Sequence, residues 1–322
     1  MCTAISFSRT HHYFGRNLDL EYHYDEQVVI TPRRFPFIFR RMPPMPQHFA
    51  MIGMATAVSG YPLYYEATNE FGLSMAGLNF PGSAHYFPMQ EGKDNVTPFE
   101  FIPWVLGQCR NMDDVRGLLS HISLLDEPFS VQLPLTPLHW MISFRSETLV
   151  AESTADGLHV YDNPVHVMTN NPPFPMQLWN LSNYMALSPE QPENRLAPSI
   201  PLHAVSNGMG AMGLPGDWSS VSRFVRATYV LHHAQCEDAE DACVAQFFRM
   251  LDAVAMPCGS VLVHGKPEIT VYSCCCNADT GMYYYTTYEN RAITAVDMHG
   301  AALDSAALVC CPLDTAPAIR RL

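Results

Sequence analysis

The order of elements predicts a layered α+β fold: strands, then helices, then strands, helices and strands again. Three observations carry this. Short β-rich or alternating segments cluster in three separate stretches of the chain, two pairs of helical segments fall between them, and no regular strand–helix–strand repeat appears. Hydrophobic residues make up 48% of the 322 residues and charged residues 15%, ample material for a large core. No internal repeat or low-complexity segment divides the chain, so one domain over 1–322 is the simpler expectation.

Taken in order, the segments Cys2–Phe7, Tyr13–Asn17, Gln27–Thr31, Pro62–Thr68 and Leu73–Phe80 read as strands separated by turn residues. A helix starts at Thr97-Pro98-Phe99-Glu100, where Thr caps, Pro takes the first helical position and Glu completes a capping box. A second helix follows Asn111, with Asp113 and Asp114 at its positive end. Strands return at His139–Phe144, Thr148–Ser153, Gly157–Tyr161 and Val165–Thr169. Four prolines between Leu187 and His203 mark a long excursion or arm. Helices are expected over Ser220–His233 and Ala239–Val254, the first with Phe224, Ala227 and Leu231 on one apolar face. The last strands are Glu268–Cys276, Gly281–Tyr288 and Ala292–Met298.

Composition narrows the function classes. A net charge of −13 argues against a nucleic-acid partner, which needs a positive surface. No basic, apolar leader opens the chain and no run of about 18 apolar residues occurs, so neither a signal peptide nor a membrane span is expected. Ten cysteines, three of them consecutive, do not suit a disulfide framework in a chain of this size, which points to a reducing cytoplasm. Adjacent residues of a strand point to opposite faces, so Cys274-Cys275-Cys276 is not a metal-ligand set, and no metal or other cofactor is expected. The 18 Met and 36 aromatics (17 Phe, 15 Tyr, 4 Trp) belong by default to the core, although such side chains also line adaptable apolar pockets.

The chemistry sits at the chain start. Removal of Met1 would leave Cys2 holding both a thiol and a free α-amine, whose ordinary pKa of about 7.7–8.0 suits a built-in general base. A hairpin of the first two strands would bring Arg16 and Asp19 close to it; alone, these residues are equally a surface ion pair, and Cys2 an ordinary strand residue.

Six collinear segments sharpen the reading: Cys2, GRNLDLEY at 15–22, NEFGLSMAGLNFPG at 69–82, MTNNP at 168–172, LPGDWSSVSRFVRA at 214–227, and TVYSCCCN with YYYTTYENRAITAVDM between 270 and 298. Together they resemble the choloylglycine hydrolase family, which contains conjugated bile acid hydrolases and penicillin V acylases. The resemblance implies an N-terminal-nucleophile (Ntn) hydrolase fold, a four-layer αββα sandwich of two antiparallel sheets between helix layers. It implies Cys2 as nucleophile, its own amine as base, Asp19 binding that amine, and Arg16 beside the thiol. Asn79 and Asn170 match oxyanion-hole amides, and Arg223, rather than Arg226, matches the arginine that supports developing charge.

The implied activity is hydrolysis of glycine- or taurine-conjugated bile salts through a Cys2 thioester, by a homotetramer, and the resemblance assigns the 187–203 stretch the role of oligomerisation arm. Asn79 favours bile salts, because penicillin V acylases of this type usually carry Tyr there. Loops around 20–26, 58–66 and 129–140, with Tyr61 and Phe129, are candidate walls of a sterol slot. An acylase for another N-acyl compound, a non-catalytic sterol-binding protein, and an inactive chain that keeps Met1 remain as alternatives.

Overall fold

Period-two alternation along the strands sorts the apolar side chains into two cores. In the strand Gln27–Thr31, Val28 and Ile30 join one core and Val29 the other. Met141 faces the first core while its neighbours Trp140 and Ile142 face the second, and Val150 stands in the same way between Leu149 and Ala151. A sheet apolar on both faces must be covered on both faces.

The computed structural model, which describes residues 1–322, shows how this is done. Its six-stranded antiparallel sheet runs, in spatial order, Val167–Met168, Cys2–Ser8, His12–Leu20, Ile269–Asn277, Met282–Thr287 and Thr294–Asp297. Its eight-stranded antiparallel sheet runs Gly157–Asp162, Glu147–Thr154, Leu138–Phe144, Ser74–Asn79, Tyr61–Asn69, Met51–Val58, Gln27–Thr31 and Val309–Pro312. The first core lies between the sheets and continues to the helices Ser220–His232 and Glu240–Asp252, through Phe224, Phe247 and Leu251. The second joins the outer face of the larger sheet to the helices Phe101–Leu106 and Met112–Leu119. The result is the αββα sandwich of the Ntn hydrolases.

Two local features bear on the site. Glu100 accepts bonds from the Thr97 backbone N–H (3.3 Å) and hydroxyl (2.6 Å), the expected box, although the first turn after it is a 3-10 turn. Gly15 is the only residue type that fits its place in the second strand, because a Cβ there would lie 1.9 Å from the Cys274 carbonyl oxygen. That close approach lets the last long strand pack against the hairpin that carries Cys2. The segment between Leu187 and His203 has no helix or strand, and Leu196, Ile200 and Leu202 are exposed along it. All ten cysteines are unpaired, and no helix is long and apolar enough to cross a membrane.

Candidate active site

The hairpin expected at the chain start is present, with Cys2 opposite Leu18 and Ala4 opposite Arg16. Alternation then divides its side chains. Cys2, Ser6 and Arg16 share the face toward the eight-stranded sheet: the Ser6 hydroxyl accepts a bond from Ser143 (2.9 Å), and Arg16 Nη1 donates to the Gly77 (2.6 Å) and Tyr65 (3.1 Å) carbonyls. Thr3 and Asn17 turn to the helix layer, where Asn17 Nδ2 donates to the Leu251 carbonyl (2.9 Å) and Thr3 Oγ1 accepts from Arg223 Nη1 (2.6 Å).

Arg223, fully buried on the helix Ser220–His232, is the hub. Its Nη1 also donates to the Cys2 carbonyl (2.5 Å), its Nη2 to Asn170 Oδ1 (2.8 Å), and its Nε to the Trp218 carbonyl (3.0 Å). Asn170 Oδ1 is shared, because it also accepts the Cys2 backbone N–H at 2.9 Å. Asn170 Nδ2 donates to the Asn79 carbonyl (2.7 Å), and the Asn170 N–H to Ser220 Oγ (2.9 Å). The Asn170 backbone N–H and one N–H of its Nδ2 are therefore engaged, leaving the second Nδ2 hydrogen free, and the half-buried Asn79 side chain makes no hydrogen bond within the protein. Arg226 lies apart, bonded to the carbonyls of Ala253 (2.6 Å), Pro215 (2.8 Å) and Asp217 (3.0 Å).

The electrostatics of this site come from buried charges. Asp19 is fully buried, with Oδ1 accepting from the Thr270 hydroxyl (2.6 Å) and Oδ2 without a partner. Burial raises its pKa above the ordinary carboxylate range, opposed chiefly by the Arg223 guanidinium. Burial acts in the opposite sense on Arg223, lowering its pKa against the pull of Asp19 and the Cys2 thiol. Arg16 is 1% exposed and lies 3.8 Å from Glu66, which also accepts from the hydroxyls of Tyr272 and Tyr283 (2.6 Å each) and the Met54 N–H (3.1 Å). Burial again raises Glu66, with Arg16 as the main opposing influence.

With Met1 in place, the chain-start ammonium reaches neither Asp19 oxygen of the side chain. It donates to the Asp19 backbone carbonyl (2.7 Å) and pairs with the Glu268 carboxylate, while the Asp19 N–H donates to the Met1 carbonyl (2.9 Å). The expected residues Cys2, Arg16, Asp19, Asn79, Asn170 and Arg223 thus converge on one end of the sandwich.

The sequence reading missed the groups that hold them. The Asn170 turn is fixed by His139, whose Nε2 meets the Thr169 carbonyl (2.9 Å) and whose Nδ1 meets Glu152 (3.1 Å). Phe80 stacks on the His139 ring at 4.3 Å and 2°. Glu66, His139, Glu152 and Glu268 are all 1–2% exposed. Their only signal in the sequence is a polar residue where an otherwise apolar strand pattern has an inward position. Tyr61 and Phe129 do meet (6.0 Å between rings), together with Phe99, but Tyr61 packs against the outer core rather than the core that contains Cys2.

Comparison with known proteins identifies the family and the fold. The sequence profile of the linear amide C–N hydrolases of the choloylglycine hydrolase family matches residues 2–311. The bile salt hydrolase/transferase of Lactiplantibacillus plantarum is 47% identical over 314 residues, 97% of each chain. The bile salt hydrolase/transferase of Clostridium perfringens is 36% identical over 311 residues, 94% of each chain. A crystal structure of the conjugated bile acid hydrolase from Clostridium perfringens superposes over the full length of both chains with a TM-score of 0.92 at 34% identity. The penicillin V acylase of Agrobacterium tumefaciens shares the fold, with a TM-score of 0.75 at 16% identity over 95% of this chain and 90% of its own. The chain belongs to the choloylglycine hydrolase family of linear amide C–N hydrolases.

Proposed function

We propose that the protein hydrolyses the amide bond of glycine- or taurine-conjugated bile acids, with Cys2 as nucleophile once Met1 has been removed. The observation that carries this reading is the clamp on Cys2: its N–H on Asn170 Oδ1 and its carbonyl on Arg223. The names of the relatives support the substrate class.

With Met1 present the Cys2 nitrogen is a peptide nitrogen, which has no basic lone pair. Removal turns it into an amine beside the thiol. The amine takes the thiol proton, the sulfur attacks the amide carbon, and negative charge moves to the carbonyl oxygen. The free Asn79 amide and the second N–H of Asn170 Nδ2 supply donors worth about 3–4 kcal/mol each at such a site. The protonated amine then gives its proton to the leaving glycine or taurine nitrogen. Water cleaves the thioester, releasing the bile acid and restoring the thiol. An amine in place of that water would receive the acyl group instead.

The exposed apolar side chains of the 187–203 segment support its reading as an assembly arm of a homotetramer, and ten unpaired cysteines support a cytoplasmic location. The test is glycine release from glycocholate by protein shown by intact mass to lack Met1, with penicillin V and Cys2→Ala in parallel. Release that vanishes in Cys2→Ala is expected. Turnover that survives in Cys2→Ala would overturn the nucleophile, and cleavage of penicillin V alone would overturn the substrate.

A further inference from the structure

Glu268 is 1% exposed, just ahead of the strand Ile269–Asn277, and no Arg, Lys or His pairs with it. Its one counter-ion is the Met1 ammonium, which Oε1 holds; Oε2 has no partner. A carboxylate taken out of water without a cation costs several kcal/mol, so the fold places this group for an ammonium at the chain start. Removing Met1 takes that ammonium away. It also frees the Asp19 carbonyl, which accepted from it, and the Asp19 N–H, which donated to the Met1 carbonyl.

The nearest replacement is the amine created by the same cut. The Cys2 nitrogen lies one residue further in, about 3.3 Å along the strand. We propose that Glu268 is the positioning residue for the Cys2 α-ammonium: once Met1 has gone, its buried carboxylate takes the new chain start as counter-ion and holds it beside the thiol.

This rests on the Cys2 reading above and assigns it a residue that the family resemblance did not supply. The other charged groups facing the amine are Asp19 on its own hairpin, Arg16 on the inter-sheet face, Arg223 from the helix layer and the Cys2 thiol itself. Thr270 satisfies one Asp19 oxygen and leaves the other open, but Asp19 keeps the Arg223 guanidinium as its neighbouring cation when Met1 leaves, and Arg223 itself is bonded to the Cys2 carbonyl and Asn170. Glu268 is the carboxylate in this group whose partner is lost on processing.

The charge predicts a sign. A nearby carboxylate favours the ammonium and disfavours the thiolate, so neutralising it lowers the pH at which either group loses its proton. In Glu268→Gln protein lacking Met1, the acid limb of kcat/KM for glycocholate should move down by about one pH unit, as should the pH midpoint of Cys2 alkylation by iodoacetamide. Glu268→Asp keeps the charge and should leave both midpoints near those of the unmodified sequence while lowering kcat. A folded Glu268→Gln protein whose two midpoints stay in place would overturn the proposal. If Glu268→Gln does not fold, Glu268→Ala takes its place in the same two titrations: midpoints displaced downward support the assignment, and unmoved midpoints overturn it. Failure of the Cys2 reading itself would appear separately, as glycine release that survives in Cys2→Ala.

Discussion

Arg16→Leu is the most demanding test of how the site is built, because it removes one charge of a pair enclosed by the two sheets. Arg16 satisfies the Gly77 and Tyr65 carbonyls and stands 3.8 Å from Glu66. Leucine would leave those carbonyls bare and Glu66 without a cation. Breaking a buried pair from one side typically costs about 3–5 kcal/mol. Unfolding entropy of about 2.1 cal/mol/K per residue gives roughly 0.7 kcal/mol/K for a chain of this length, so the melting temperature should fall by about 4–7 °C. The pH dependence fixes the cause. Without Arg16 the Glu66 pKa rises further, so the folded state favours its protonated form. That preference stabilises the fold below the ordinary carboxylate pKa and fades as pH rises through the folded value, so the deficit should grow steadily as pH rises above the ordinary carboxylate pKa. Adding Glu66→Gln removes the stranded charge, and the glutamine amide can donate to the Tyr272 hydroxyl oxygen. The double variant should recover at least half the loss and show no extra pH slope. Calorimetric melts of the single and double variants from pH 5 to 8 measure this. Equal melting temperatures for Arg16→Leu and the parent, or no recovery in the double variant, would show that Arg16 and Glu66 are not energetically coupled.

Asn170→Ala removes the acceptor shared by the Cys2 N–H and Arg223, along with the donor proposed for the oxyanion, and should lower kcat by about 10²–10³; a loss below tenfold in steady-state kinetics would contradict the clamp. His12 is held neutral by burial, its pKa lowered to about 4, between the hydroxyls of Ser8 (3.1 Å) and Ser143 (3.2 Å). Its contribution is therefore complete above pH 6.5 and is lost as pH falls toward 4, up to about 3 kcal/mol in all. His12→Asn should flatten that part of the acid slope in urea midpoints measured between pH 7 and 4.5, and an unchanged slope would place the acid sensitivity elsewhere.

Much of the fold was legible because alternation and end signals are local. Gln27–Thr31 forms as read, and the two long helices fall within two residues of the expected bounds. Met51–Val58 escaped because its Gly, Ala and Met residues carry no polar alternation; its first five positions are all buried. Phe174–Leu181 hid behind two prolines, and Val309–Pro312 is too short to announce itself at the sheet edge. The site was legible differently. Cys2, Asp19 and Arg16 share one hairpin, so register alone brings them together. Asn170 and Arg223 came only through family resemblance, because nothing local to MTNNP or SSVSRFVRA says that Asn170 Oδ1 will accept from Arg223 across 53 positions of chain. Glu268 lies further still, 267 positions from Met1, and no spacing rule spans that distance.

The hairpin of the chain start and the strand Ile269–Asn277 also set a timetable. Cys2–Ser8 and His12–Leu20 can pair as soon as they emerge, but the carboxylate that engages the Met1 ammonium is among the last parts of the chain to be made. About 250 residues separate the two, which at typical synthesis rates is on the order of 10–50 s. During that interval the first residue is free of its ion pair and open to an aminopeptidase. After it, Met1 is half-buried, bonded to the Asp19 carbonyl and N–H and paired with Glu268, and cutting it off would require those bonds to open. A fast-folding or slowly trimmed chain would therefore divide into two populations, one able to react and one locked, with the ratio set by kinetics during synthesis and not by the stability of the product.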